Sequence, residues 1–226
     1  MNLRSFYAIS GIALAVMLVV AAWGLARVGL AAQVPLHWGV DGQPNGYGPA
    51  WLAFLLIPAI TAGLIVLFRV IPRVEPRREN LRLSESAYRT MAIAVVLLMA
   101  AIQVLVVLAG VGLAVPVSLV LGLGVGLLFA VMGNVLTTVR SNFMFGVRTP
   151  WTLSSERSWD RTHRIVGRLF VVTGLAMIVL SLTGRMEIVM GAMLVMLLGT
   201  VGFGYWYSYR EWKADPDRRA TGGSQQ

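Results

Sequence analysis

The chain has 226 residues, 57% of them hydrophobic and only 13% charged, with a mean hydropathy of +0.74. An ordinary soluble domain is about half apolar and a quarter charged, so this composition excludes one and points to a membrane protein. The 19 Lys+Arg against 10 Asp+Glu leave +9, a balance that suggests nucleic acid until it is mapped, and the lack of cysteine excludes disulfides, thiolate zinc sites and iron–sulfur clusters.

Six stretches have the roughly 20 apolar residues that a helix needs to cross the hydrocarbon core. They are Phe6–Ala26, Ala50–Val70, Met91–Leu113, Val115–Leu136, Ile165–Leu182 and Ile188–Tyr207. Arg4 ahead of the first run resembles a signal peptide, but the run is longer than an h-region of about 7–15 residues, so it is read as a span. Gly112–Pro116 and Thr183–Glu187 are tight turns that make spans three/four and five/six antiparallel hairpins. The predicted fold is all-α, a polytopic membrane protein with six transmembrane helices. Residues 1–71 form the first helical hairpin, with an extracytoplasmic loop at 29–49. A basic loop at 72–90 precedes a four-helix region at 91–210, which carries a motif at 133–168. The tail, 211–226, is polar and expected to be disordered.

Every lysine and arginine except Arg27 and Arg185 falls at the N-terminus, in the second and fourth loops and their flanks, or in the tail. The positive-inside rule therefore places those segments and both termini in the cytoplasm. All acids but Asp41 and Glu187 share that side, so the whole excess charge is cytoplasmic and needs no direct nucleic-acid binding to explain it.

No charge sits near the middle of a span, which weighs against proton relays and ion-coupled pumps. Gln103, deep in span three, is expected to hydrogen-bond a neighbouring helix. Gly122 and Gly126 form a small-xxx-small pair expected to pack within the chain, with homodimerisation as the alternative. Pro58 is expected to kink span two.

The outer loop reads VPLHWGVDGQPNGYGP over 34–49. Asp41-Gly42 and Asn45-Gly46 are turn dipeptides, and Trp38, Tyr47 and Trp51 suit the headgroup belt. The loop is either a compact cap or a recognition surface on which Pro35, His37, Trp38, Asp41 and Tyr47 meet an extracellular ligand. His37 beside Asp41 is a titratable pair, but no nucleophile accompanies it.

The inner segment 133–168 reads GNVLTTVRSNFMFGVRTPWTLSSERSWDRTHRIVGR. Thr149-Pro150-Trp151-Thr152 is expected to bend, because proline disfavours helix in the residue before it. Ser154 is the expected N-cap of a helix with Glu156 in its first turn. Arg157, Arg161, Arg164 and Arg168 then fall on one helical face, with Trp159, His163, Val166 and Phe170 opposite. Asp160 and Arg164 are spaced for an i, i+4 pair. Such a helix either anchors to lipid headgroups or docks a soluble cytoplasmic partner. Ser155, Asp160 and His163 are hydrolase residue types, but three turns of one helix do not converge them on a common point, so no residue is assigned as catalytic. The two histidines lie on opposite sides of the membrane, which excludes a bis-histidine haem and leaves no expected metal or cofactor.

Gly133-Asn134, Asn142, Gly146-Val147-Arg148-Thr149-Pro150-Trp151-Thr152-Leu153, Ser155-Glu156, Trp159 and Thr162-His163-Arg164 resemble the GN…N…GIRTPWTL-x-SE-x-VW-x-KTHR signature of the SdpI-type bacterial immunity protein family. Pro35, His37-Trp38, Gly42 and Gly46-Tyr47-Gly48 resemble the P-x-HW…G…GYGSK pattern of the small domain of unknown function that accompanies it. The departures are Val147 for isoleucine, Ser158 for valine, Arg161 for lysine, and Pro49-Ala50 for serine-lysine. The last of these leaves the outer loop without its positive group.

The resemblance implies a non-enzymatic, multi-pass protein of the bacterial plasma membrane that protects its cell from a secreted toxic peptide. In the best-known members it also implies holding a cognate repressor at the membrane. The implied partners are membrane lipids, an extracellular peptide toxin and a cytoplasmic repressor. The implied inner motif residues are Asn134, Asn142, Arg148, Thr149, Pro150, Trp151, Glu156, Trp159, Thr162, His163 and Arg164. The alternative is a transporter or membrane enzyme handling a lipid or small solute. That alternative would be favoured by a polar cavity between the spans that holds Asn134, Asn142, Arg148 and His163 together.

Overall fold

The computed structural model describes residues 1–218. Its elements are α1 (Arg4–Val28), β1 (Gln33–Trp38), β2 (Pro44–Pro49), α2 (Ala50–Val74), α3 (Arg78–Leu83), α4 (Glu85–Gly110), α5 (Val117–Leu136), α6 (Pro150–Ser154), α7 (Glu156–Ser181) and α8 (Met186–Lys213). Six of them, α1, α2, α4, α5, α7 and α8, are long and apolar enough to cross a membrane, so the chain is a multi-pass helical membrane protein. Their outer faces stay apolar and uncovered, as at Val19, Val66 and Val195, where a lipid environment removes the usual cost of exposing such side chains.

The helices pack as two groups. α1, α2 and α4 contact one another, α7 packs on both α5 and α8, and α4 against α5 joins the groups. The tightest pair is α5 with α7, where glycines let the backbones approach. A Cβ on Gly126 would lie 2.7 Å from the Gly174 carbonyl oxygen, and one on Gly167 would lie 2.6 Å from that of Gly133. Gly122 likewise faces Ser181. The small-residue face of span four is thus filled from within the chain, as the intramolecular reading expects.

Span two remains helical through Pro58, and the reason lies on the next group member. Proline has no N–H to give the carbonyl four residues back. Here that carbonyl belongs to Phe54, and the Gln103 Nε2 donates to it at 2.8 Å from α4. Both partners are buried. The expected interhelical bond of Gln103 therefore has a specific purpose, replacing the bond that Pro58 removes. Gln103→Leu should destabilise the chain by roughly 0.5–2 kcal/mol, the range of interhelical membrane hydrogen bonds. Pro58→Ala restores the helix's own donor and should recover most of that loss in the double variant. A double-mutant cycle on thermal unfolding that shows no coupling would refute the pairing.

The outer loop is more ordered than expected. β1 and β2 form an antiparallel hairpin with Val34 opposite Gly48 and Pro35 opposite Tyr47, and with irregular register near His37. Asp41-Gly42 makes the tip, where Gly42 takes φ +76°. Asn45-Gly46, expected as a turn, lies within β2 because the strand pairing claims it. Val34 packs beneath the hairpin on Ala50, Phe54 and Leu105, so the cap is tied to the bundle.

The tail also differs. α8 continues to Lys213, and Glu211 and Asp215 are buried against the inner loop, so 211–218 are part of the fold. The remainder of the polar tail lies outside the described residues.

Candidate functional site

Beyond α5 the chain crosses the inner end of the bundle as an irregular segment up to Thr149, held by buried polar groups. Glu75, fully buried at the end of α2, accepts the Phe143 N–H on both carboxylate oxygens at 3.1 Å and the Arg77 N–H at 2.9 Å. The Arg77 guanidinium lies 4.6 Å above the Phe143 ring and donates to the Ser141 Oγ and, at 3.1 Å, to the Leu153 carbonyl. Asn142 closes the turn. Its Nδ2 donates to the Arg140 and Phe145 carbonyls at 2.9 Å, and its Oδ1 accepts from Met144 and Phe145 N–H.

Trp159 is fully buried, donates from Nε1 to the Val139 carbonyl at 2.7 Å and stacks on His163 with ring centroids 4.0 Å apart. The His163 Nε2 accepts the Val147 N–H at 2.9 Å, so the ring proton sits on Nδ1, which faces the Trp159 carbonyl at 2.9 Å. Both nitrogens are committed to backbone, leaving neither for proton transfer nor for a metal. Gly146 lies against the Nε2 edge of the ring at φ +115°, where a Cβ would collide with Nε2.

Thr149-Pro150-Trp151-Thr152, expected to bend, opens the short helix α6 through a capping box between Thr149 and Thr152. Ser154 closes α6, and Ser155 is the N-cap of α7, accepting the Ser158 N–H at 2.9 Å. The extra turn of helix moves the cap by one residue. The Ser155 Oγ also donates to Asp215 Oδ2 at 2.5 Å, which holds that carboxyl below its usual range. It is thus a structural serine, not part of a hydrolase set. The Asp160–Arg164 pair is absent from the described ion pairs. Arg157 and Arg161 instead pair with the buried Glu211 of α8, at 3.3 and 3.5 Å, where the lower local dielectric strengthens the attraction.

The predicted motif therefore divides. Asn142, Thr149, Trp159, Thr162 and His163 are interior, while Asn134, Arg148, Pro150, Glu156 and Arg164 are exposed. Trp151 is half-buried against Tyr205 and Tyr209. The exposed arginine face and the buried tryptophan–histidine face of α7 lie as the periodicity predicted. A cleft of about 360 Å³ is lined by Thr137, Arg140, Asp160, His163 and Arg164, among others. Asn134, Asn142 and Arg148 do not line it, so this cleft does not bring the four residues together.

On the hairpin, His37, Asp41 and Tyr47 are exposed, whereas Pro35 and Trp38 are half-buried, Trp38 packing on the core below. His37 and Asp41 do not pair. The His37 Nδ1 meets the Asn45 Oδ1 at 2.5 Å, and Asp41 accepts the Gln43 N–H at 3.0 Å within the tip. Among the described residues, no three His, Cys, Asp or Glu side chains gather to hold a metal. Glu75, Arg77, Ser141, Glu211 and Asp215 were missed from the sequence, since each acts on a segment more than 50 residues away.

Residues 138–208 match the model of the SdpI/YfhL protein family, and residues 11–62 match that of a domain of unknown function, DUF1648. No solved structure matches. The chain is similar to the immunity protein SdpI of Bacillus subtilis (strain 168), 29% identical over 169 residues that cover 74% of this chain and 79% of the relative. The resemblance carried by GVRTPWTL, THR and the outer HW and GYG residues thus holds, with residues 138–208 matching the SdpI/YfhL family and the chain similar to an immunity protein.

Proposed function

We propose that the chain is a non-enzymatic membrane immunity protein. It protects a bacterial cell from a secreted amphipathic peptide through its outer hairpin, and it holds a cytoplasmic repressor at its inner face. The observation that carries the reading is the similarity to an immunity protein along three-quarters of the chain. Orientation by the positive-inside rule puts the hairpin outside and the arginine face of α7 inside. Tyr47, 60% exposed on the hairpin, offers an aromatic contact for an amphipathic peptide, with His37 and Asp41 as polar neighbours. Arg148 and Arg164 offer the inner charged contacts, while Asn142, Trp159 and His163 shape the loop that presents them.

The test is survival of a sensitive strain expressing the chain under a panel of secreted antimicrobial peptides. Protection is expected against at least one, and Tyr47→Ala should lower it about tenfold, since a central aromatic contact contributes 1–2 kcal/mol. Membrane levels should stay normal, because Tyr47 is exposed. Trp38→Ala is a poorer probe, as it also removes core packing. Protection unchanged in Tyr47→Ala would move the toxin contact elsewhere, and protection against none of the panel would remove the immunity reading.

A further inference from the structure

The inner end of α1 and α2 carries a feature that the immunity reading does not use. Arg4 on α1, Arg69 and Arg73 on α2, and Arg78 and Arg82 on α3 line one open cleft of about 1000 Å³, with Tyr7 in its wall. Arg82 is engaged by Glu79 at 2.6 Å. Among the described residues, Arg4, Arg69, Arg73 and Arg78 have no carboxylate within 4.0 Å, although the chain pairs arginines elsewhere. Four guanidiniums converging without a counter-charge repel one another, and an anion between them removes that cost.

The same helix faces continue into apolar surface. Val66 and Val70 stand at i, i+3 and i+4 spacing with Arg69 and Arg73, so all four share one side of α2, and all four are exposed. Tyr7, 40% exposed, continues the wall on α1, with the Arg69 guanidinium 5.9 Å from its ring centre. An anion bound here therefore has arginines around it, and exposed valines continue from the cleft along the same side of α2. We infer that this cleft is a binding site for the phosphodiester headgroup of an anionic phospholipid, its acyl chains lying along Val66 and Val70. Basic pockets at the cytoplasmic ends of spans suit that headgroup chemistry. The apolar continuation distinguishes a lipid phosphate from a free one.

Native mass spectrometry of the full chain in neutral detergent tests this, with phosphatidylglycerol, phosphatidylcholine or inorganic phosphate as the added probe. Phosphatidylglycerol should bind well above phosphatidylcholine. Arg69→Gln with Arg73→Gln should weaken it about 25-fold, at roughly fivefold for each basic residue near an anionic headgroup. Arg69→Lys with Arg73→Lys should keep most of the binding, which separates lost charge from lost fold. Arg78→Gln, on the surface of α3, gives a second variant that does not touch a span. Arg168→Gln with Arg210→Gln, outside the cleft, should change little. Equal binding of the two lipids, or an equal loss from the Arg168/Arg210 pair, would overturn the site. Displacement of the lipid by inorganic phosphate at matched concentration would assign the cleft to free phosphate and overturn the lipid. Survival under toxin is a separate readout, so either reading can fail alone.

Discussion

Trp159→Ala is expected to destabilise the chain by about 3–5 kcal/mol, the cost of emptying a filled aromatic site. The side chain is fully buried and packs with Ala87 of α4, Val135 and Val139 of α5 and its exit, and Phe145 of the inner loop. It therefore ties α7 to α4 and to the stretch that leaves α5. Its loss also strips the Val139 carbonyl of its donor and leaves one face of His163 without a stacking partner. The measurement is thermal unfolding of the purified protein in detergent, with proteolysis of the 137–149 segment as a local readout. Trp159→Phe should recover much of the packing but not the hydrogen bond, which places it between wild type and alanine. Arg164→Ala, at an exposed position on the same helix, should leave unfolding within about 0.5 kcal/mol of wild type. If repressor retention at the membrane falls in Arg164→Ala while stability holds, the exposed part of the motif is the functional part. A Trp159→Ala protein that unfolds like wild type would mean that the motif's buried residues do not hold the loop.

The reach of the sequence differs by element, for physical reasons. The six spans were legible because lipid demands a long apolar run, a requirement each helix meets alone. The two faces of α7 were legible because a 3.6-residue period is local information. The hairpin was not, since the apolar alternation of Val34, Leu36 and Trp38 is interrupted by proline and glycine, and the second strand, PNGYGP, has none of its own. Its strands gain their order from Val34 resting on the bundle. The roles within the motif were also hidden. Trp159, His163 and Asn142 look alike as polar or aromatic inner-loop residues whether they meet a partner or the interior. Only the packing of distant elements decides that, with Trp159 clustered among Ala87 of α4 and Val135 of α5. Arg157 was legible as one of a stripe, but its true counter-ion is Glu211 on another helix.

The glycines between α5 and α7 give the sharpest sign test of the fold. Gly→Ala in a helix ordinarily stabilises, by roughly 0.5–1 kcal/mol, since alanine loses less backbone entropy. At Gly133 and Gly167 the opposite is expected. A Cβ on Gly133 would meet the Gly167 carbonyl oxygen and lie 2.7 Å from the Val171 nitrogen, and one on Gly167 would lie 2.6 Å from the Gly133 carbonyl oxygen. These neighbours are backbone, which cannot rotate away, so the helices must part. Overpacking of this kind costs about 1–3 kcal/mol and exceeds the helix-propensity gain. Gly167→Ala and Gly174→Ala should therefore lower the unfolding temperature. Gly63→Ala and Gly199→Ala, whose added methyl meets nothing within 4 Å, should leave it unchanged or raise it slightly. Because the close approach is internal, all four variants should keep the wild-type oligomeric state in detergent. A change of oligomeric state confined to Gly122→Ala or Gly126→Ala would favour the homodimer reading of that face instead. Gly133 also sits near the end of α5, close to the irregular segment. Parting α5 from α7 there moves Val139 away from Trp159, so the glycine contacts and the buried tryptophan should fail together. Their destabilisations should be less than additive when combined, as for neighbours sharing one packed unit.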